Sequence, residues 1–246
     1  MNEQRPTGRA SLSAESTALQ SPSDHDLRVA CYCEENAWRV AYRHLYTDAS
    51  NSCSGNNKDW KYYIVFISNN HKACPMFMQR AIPKDDPREY VCWDYHVIVM
   101  RSAVQNNIGG TIVSEILDVD TWVTPYPTPL SKYLDESFPH ATDPNLNKQY
   151  LPLFNVVRAE DFIRDFYSDR MHMFKSGKWN SPPPEYPPIM NGLKMDGNDS
   201  QERNELTGSN LDSYISMSGE GKCVFTLAEM YERSTDSNKK EWTECS

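Results

Sequence analysis

Trp93-Asp94-Tyr95-His96-Val97 lies inside a stretch, Tyr90 to Arg101, that otherwise reads as a buried β-strand of Val, Ile and aromatic side chains. An aspartate and a histidine at its middle lose solvation and need polar partners to be tolerated. Alternation along one continuous strand would send Cys92, Asp94, His96 and Ile98 to one face. Val91, Trp93, Tyr95, Val97 and Val99 would take the other. A histidine held on a rigid strand is well placed for acid–base chemistry.

Working outward from that strand, others are predicted at Tyr62–Ser68, Pro75–Ile82 and Thr111–Val119. Asn69-Asn70 and Asn106-Asn107-Ile108-Gly109-Gly110 supply the hairpin turns. Upstream, Ala37, Trp38, Ala41 and Leu45 recur at helical spacing opposite Glu34, Glu35, Arg39 and Arg43, which predicts a helix over 34–46. Downstream come a short helix at 129–138 and a strand at Phe154–Arg158 running into a helix, Ala159–Tyr167. Structure resumes at Leu211–Met217 and in a helix at Val224–Arg233. The Pro182–Pro188 run can be neither helix nor central strand and reads as an extended surface segment. A helical start followed by antiparallel strands gives an α+β fold, with helices packed on one mainly antiparallel sheet. The domain reading is a disordered polar extension (1–26), a single catalytic domain (27–233) and a flexible tail (234–246). Polar inserts interrupt the domain at 47–58 and 191–210.

Composition narrows the function. With 25 basic against 34 acidic residues, the net charge of -9 disfavours nucleic acid or an anionic membrane as partner and favours cationic ligands. No apolar run approaches the ~20 residues a membrane span needs. Residues 1–26 hold no apolar stretch and carry Glu3, Glu15, Asp24 and Asp26, which argues against a targeting leader. The expectation is a soluble protein of the cytoplasm and nucleus. The seven cysteines, at 31, 33, 53, 74, 92, 223 and 245, form no CxxC pair, so reduced thiols that pack or react are expected. Cys31-x-Cys33 with one distant histidine is a poor zinc pattern, and no metal or cofactor is expected. No Gly-rich phosphate loop is present. His25, His44, His71 and His140 sit in polar or turn-like surroundings and read as solvated.

Cys33 stands where the 34–46 helix begins. Unpaired N–H groups and the positive end of the helix dipole there favour thiolate over thiol. Cys31, two residues further out, is the weaker nucleophile candidate; packing alone would explain both. A nucleophilic cysteine needs a base, which His96 supplies, and a group to orient the base. Asp118 and Asp120 share a face on the next strand. A hairpin pairing 96 with either would centre on 107 or 108, both inside the Asn106–Gly110 turn. Asp94 is a third possibility, so spacing alone leaves the carboxylate open.

These residues fall into a recognisable order: Cys31-Tyr32-Cys33-Glu34-Glu35-Asn36 with Trp38, Val65-Phe66-Ile67-Ser68-Asn69, Trp93-Asp94-Tyr95-His96-Val97 and Asp118-Val119-Asp120-Thr121. Ser168-Asp169-Arg170 with His172-Met173, Pro182-Pro183-Pro184 with Tyr186-Pro187, Tyr214-Ile215-Ser216-Met217 and Thr226-Leu227 follow. In them the chain resembles the protein N-terminal glutamine amidohydrolase family over about residues 29–233. The resemblance implies a papain- and transglutaminase-like α/β sandwich with a Cys-His-Asp triad. It puts the nucleophile on Cys33 in an N-terminal helix, the base on His96 and the orienting carboxylate on Asp118 rather than Asp120. It also implies action on the N-terminal Gln of proteins or peptides, through a thioester, in the N-degron pathway. Nothing in the sequence resembles a coiled-coil seam, so a monomer is expected. A cysteine peptidase or transglutaminase-like acyl transferase of the same fold is the alternative. Reading a free α-ammonium requires a carboxylate near the thiol, for which Glu34, Glu35 and Asp94 are the candidates.

Overall fold

A computed structural model describes residues 23–47, 59–86, 89–104, 112–190, 208–235 and 241–244. Its centre is a six-stranded antiparallel sheet in the order β10-β7-β1-β4-β5-β6. These strands are β1 (Lys61–Ser68), β4 (His96–Val104), β5 (Ile112–Leu117), β6 (Thr128–Pro129), β7 (Leu153–Arg158) and β10 (Val224–Thr226). A separate two-stranded ribbon pairs β2 (Cys74–Phe77) with β3 (Tyr90–Trp93). A small hairpin joins β8 (Phe174–Lys175) to β9 (Lys178–Trp179).

Helices cover both faces of the sheet. On one face Val65, Ile98, Met100 and Val156 pack against α2 (Leu130–Ser137) and α5 (Leu227–Thr235). On the other, Ile64, Phe66, Val97 and Val99 meet α1 (Cys33–Tyr42), α3 (Ala159–Asp165) and α4 (Leu211–Ile215). Burial on both faces is why the inner part of β1, Tyr63 to Ser68, is continuously buried rather than alternating. The fold is mixed α/β around a mainly antiparallel sheet, with helices on both of its faces.

Five expectations need correction. The Tyr90–Arg101 strand is two strands in different sheets, broken at Asp94-Tyr95. Alternation therefore does not carry across the break. Trp93 and His96, expected on opposite faces, stack with ring centroids 5.8 Å apart. The Pro75–Ile82 strand stops at Phe77. Met78 takes a positive φ of 57°, and the chain turns to bond residues 120 and 122, with Arg80 N–H donating to Asp120 O and Trp122 N–H to Met78 O. The Val224–Arg233 helix begins with a strand, because Val224-Phe225-Thr226 pairs with β7. Thr226 and Glu229 then cap each other's backbone N–H, so the helix starts at Leu227. The Asn69-Asn70 turn closes no hairpin, because β1 pairs with β4 and β7 while β2 leaves for the ribbon with β3. The other predicted strands and helices among the described residues occur with ends shifted by a few residues.

The domain boundaries also differ. Residues 24–26, assigned to the disordered extension, belong to a 3-10 turn, Asp24–Leu27. Buried Asp24 holds it, accepting from Tyr126 Oη at 2.8 Å and meeting His44 Nε2 at 2.8 Å. His44 is therefore a partner in a buried pair, not a solvated side chain. In the predicted loose tail, Trp242 is buried edge-on to Phe225, and Glu241 pairs with Lys61. Residues 1–22, the predicted loop at 48–58, the Asn106–Gly110 turn and residues 191–207 of the second insert lie outside the described residues. Cys31, Cys33, Cys74 and Cys92 are free thiols, but Cys223 is disulfide-bonded. Pairing depends on how close the fold brings two Cα atoms, which spacing does not reveal.

Candidate active site

Cys33 opens α1, and the turn leading into it is fixed from both sides. The Asn36 side chain accepts from Val29 N–H at 2.9 Å and donates to Val29 O at 2.8 Å. Tyr32, fully buried, donates its hydroxyl to Ser181 O at 3.1 Å. Cys31 stands in the left-handed region at φ 68°. α1 packs on the sheet face that carries Val97 and Val99, and the Cys33 sulfur meets the Val97 backbone at the start of β4. Cys33 and His96 line one cleft of about 820 Å³, with Asp94, Tyr95, Asp120 and His172 also in its wall.

His96 is almost fully buried at the first position of β4. Its Nε2 lies 3.1 Å from Asp118 Oδ2. That carboxylate also accepts from Tyr133 Oη of α2 at 2.8 Å and, through Oδ1, from Asp120 N–H at 2.8 Å. The β4–β5 register, extrapolated from Val99↔Leu117, puts residue 120 across from His96. The ladder ends at Leu117, however, and it is Asp118 that reaches the imidazole. Asp120 instead meets Arg28 at 2.6 Å and the Asn36 amide at 3.3 Å.

The electrostatics follow from this layout. Burial would lower the His96 pKa, but the charge and hydrogen bond of Asp118, with Asp120 and Glu34 adding, leave it raised. Burial would raise Asp118, but the His96 charge and hydrogen bond, the Asp120 amide and the Tyr133 hydroxyl leave it lowered. Asp120 is raised by its own burial and by the Asp118 charge, with Arg28 and His96 opposing. The Cys33 thiol departs from expectation. Burial first, then Glu34, Asp120 and Asp118, push its pKa well above the ordinary value, against the lowering expected at a helix start. Burial, with three nearby carboxylates adding to it, outweighs the helix-end field.

The three carboxylates considered for the substrate amine have different surroundings. Glu35 is fully buried, outside the cleft wall, and engaged by Arg170 through two bonds of 2.7 and 2.8 Å. Glu34 is fully buried beside the sulfur. Asp94 is exposed in the cleft, with Oδ1 accepting from Tyr95 N–H at 3.0 Å. Sequence reasoning gave no role to Tyr133, Arg28 or His172. Tyr133 and Arg28 reach the site from separate elements and leave no local signal. His172 was visible only as part of a motif.

Comparison with known proteins identifies the family. The family model for N-terminal glutamine amidase matches residues 28–235. The chain is 35% identical to the bovine protein N-terminal glutamine amidohydrolase over 226 residues, 88% of this chain and 91% of that protein. It is 34% identical to the human one over 88% of this chain and 92% of that protein. Against the Drosophila mojavensis protein of the same name, identity is 35% over 68% of this chain and 73% of that protein. With a family match across most of its length and relatives of this similarity, the chain belongs to the N-terminal glutamine amidase family.

Proposed function

We propose that the chain removes the side-chain amide of an N-terminal glutamine in a protein or peptide, with Cys33 as nucleophile, His96 as base and Asp118 as the carboxylate that orients the base. One observation carries the assignment of roles. Cys33 and His96 share a cleft while Asp118 occupies Nε2 of the imidazole, which leaves Nδ1 for the thiol. Burial and three carboxylates disfavour a lone thiolate. Proton transfer from Cys33 to His96 leaves the net charge of the pair unchanged, so this is the route by which the nucleophile forms.

The sulfur attacks the carboxamide carbon, and the developing oxyanion takes hydrogen bonds from backbone donors, the Cys33 N–H at the open end of α1 among them. The imidazolium returns its proton to the departing ammonia, leaving a thioester. Water, deprotonated by the same imidazole, attacks the thioester carbon and releases glutamate and the thiol. Asp94, the one candidate carboxylate exposed to the cleft, reads the α-ammonium. A nucleophile at a helix start, a base on the strand beneath it and a carboxylate past the end of the next strand support a papain- and transglutaminase-like sandwich.

The test is ammonia release from a Gln-initiated peptide, wild type against Cys33→Ala. The expected loss is on the order of 10³-fold or more, with Gln converted to Glu at unchanged chain length. Undiminished release by Cys33→Ala would remove the assignment. Cleavage of the peptide, or transfer of its acyl group to an amine, would instead select a peptidase or acyl transferase.

A further inference from the structure

Besides His96–Asp118, a second polar network meets the sulfur. Glu34 is fully buried, and its Oε2 lies 3.7 Å from Cys33 Sγ, which donates to it, and 3.3 Å from the Tyr95 hydroxyl. Its Oε1 faces His172 Nε2 at 3.4 Å, and the Tyr95 hydroxyl lies 3.4 Å from the same nitrogen. The three side chains thus close a ring. Glu35, next in sequence, offers the contrast, being neutralised by two short bonds from buried Arg170. Among the described residues, Glu34 has no arginine or lysine partner, and its Oε1 has no partner at hydrogen-bond geometry. An uncompensated buried carboxylate beside a thiol opposes ionisation of that thiol.

We propose that protonated His172, held against Glu34 with Tyr95, is a positioning residue that supplies the counter-charge beside Cys33 and so leaves the sulfur free to ionise toward His96. The inference rests on Cys33 being the nucleophile, as assigned above. The groups facing His172 are Glu34 and Glu35 from α1, Tyr95 from the β3–β4 break and Asp169 from its own loop. Burial alone would lower the His172 pKa, but Glu34 first and then Glu35 and Asp169 leave it raised, which favours the charged form. His172 and Tyr95 line the cleft, whereas Glu34 lies beneath it, out of reach of solvent. Glu34 is therefore assigned to the sulfur and not to the substrate amine.

The test separates this network from the assignment of the nucleophile by reading thiol ionisation directly. The rate of iodoacetamide alkylation of Cys33 is followed against pH, by peptide mass, in the wild type, His172→Gln, Glu34→Gln and the double variant. A charge at this range moves a neighbouring pKa by about one unit or more, roughly tenfold in alkylation rate at fixed pH. His172→Gln is expected to move the profile to higher pH, and Glu34→Gln to lower pH. The double variant should return to within about threefold of the wild-type rate, because removing the carboxylate makes the counter-charge unnecessary. In parallel, kcat/KM for a Gln-initiated peptide should fall roughly tenfold in His172→Gln and recover in the double variant. An unshifted His172→Gln profile, or a double variant no better than His172→Gln, would overturn the proposal. Loss of the nucleophile assignment would show instead as ammonia release that survives Cys33→Ala.

Discussion

His96 illustrates how one buried histidine gathers its chemistry from separate elements. Its carboxylate partner comes from beyond the end of β5, and that partner's second hydrogen bond comes from Tyr133 on α2. Because the folded pKa of His96 lies above its ordinary value of about 6.5, its stabilising contribution is full below that value and fades as pH rises through the folded pKa. Asp118 works in the other sense. Its folded pKa lies below about 3.9, so its contribution is present above that value and is lost as pH falls through the folded pKa. Asp118→Asn should therefore flatten both limbs of a plot of melting temperature against pH. It should also lower the His96 pKa, read by imidazole NMR, and cut kcat/KM on the order of 10²–10⁴-fold. At Asp94 the expectation is narrower. Asp94→Asn should raise KM for Gln-initiated peptides about tenfold with a smaller change in kcat, as loss of an ion pair to the substrate amine requires. An unchanged KM would move that role elsewhere.

At the scale of elements, α1 has two unlike functions in consecutive residues. Cys33 lines the cleft with Glu34 beneath its sulfur, while Glu35 ties the helix to Arg170 and, through it, to the proline segment. Arg170 donates to Pro184 O and Pro187 O at 3.3 Å each and lies beside the Tyr186 ring. Arg170→Ala would leave Glu35 charged and buried without a partner, a loss of about 3–5 kcal/mol by urea unfolding. Replacing both residues with leucine and methionine should cost less, since no orphan charge remains. The break at Asp94-Tyr95 is the other decisive element. By ending β3 before β4 begins, it lets Trp93 stack on His96 while Tyr95 turns to Glu34. A continuous strand would have sent Trp93 and His96 to opposite faces of one sheet.

For the molecule as a whole, both ends of the described chain are fastened to the core. Asp24 anchors the first turn through Tyr126, His44 and Arg43, and the same segment brings Arg28 to Asp120 at the cleft. Trp242 closes the opposite end against Phe225, with Arg233 donating to Glu241 O. Trp242→Ala should destabilise the protein by about 3–5 kcal/mol, measured by thermal unfolding, where a loose tail would show no change. Much of this organisation was legible in the chain. The run Tyr62–Ser68, the helical spacing through Ala37 and Ala41, and the ordered motifs around Cys33, His96 and Asp118 determined the strand and helix identities and the family, because periodicity and residue type act locally. Spacing left the carboxylate beside His96 open and only the resemblance pointed to Asp118; tertiary structure alone decided that Glu35 would be spent on Arg170, that His172 would stand beside Glu34, and that the thiol pKa would rise rather than fall. These outcomes depend on burial and on charges brought together from distant positions, and a linear pattern encodes neither the distances nor the dielectric that set them.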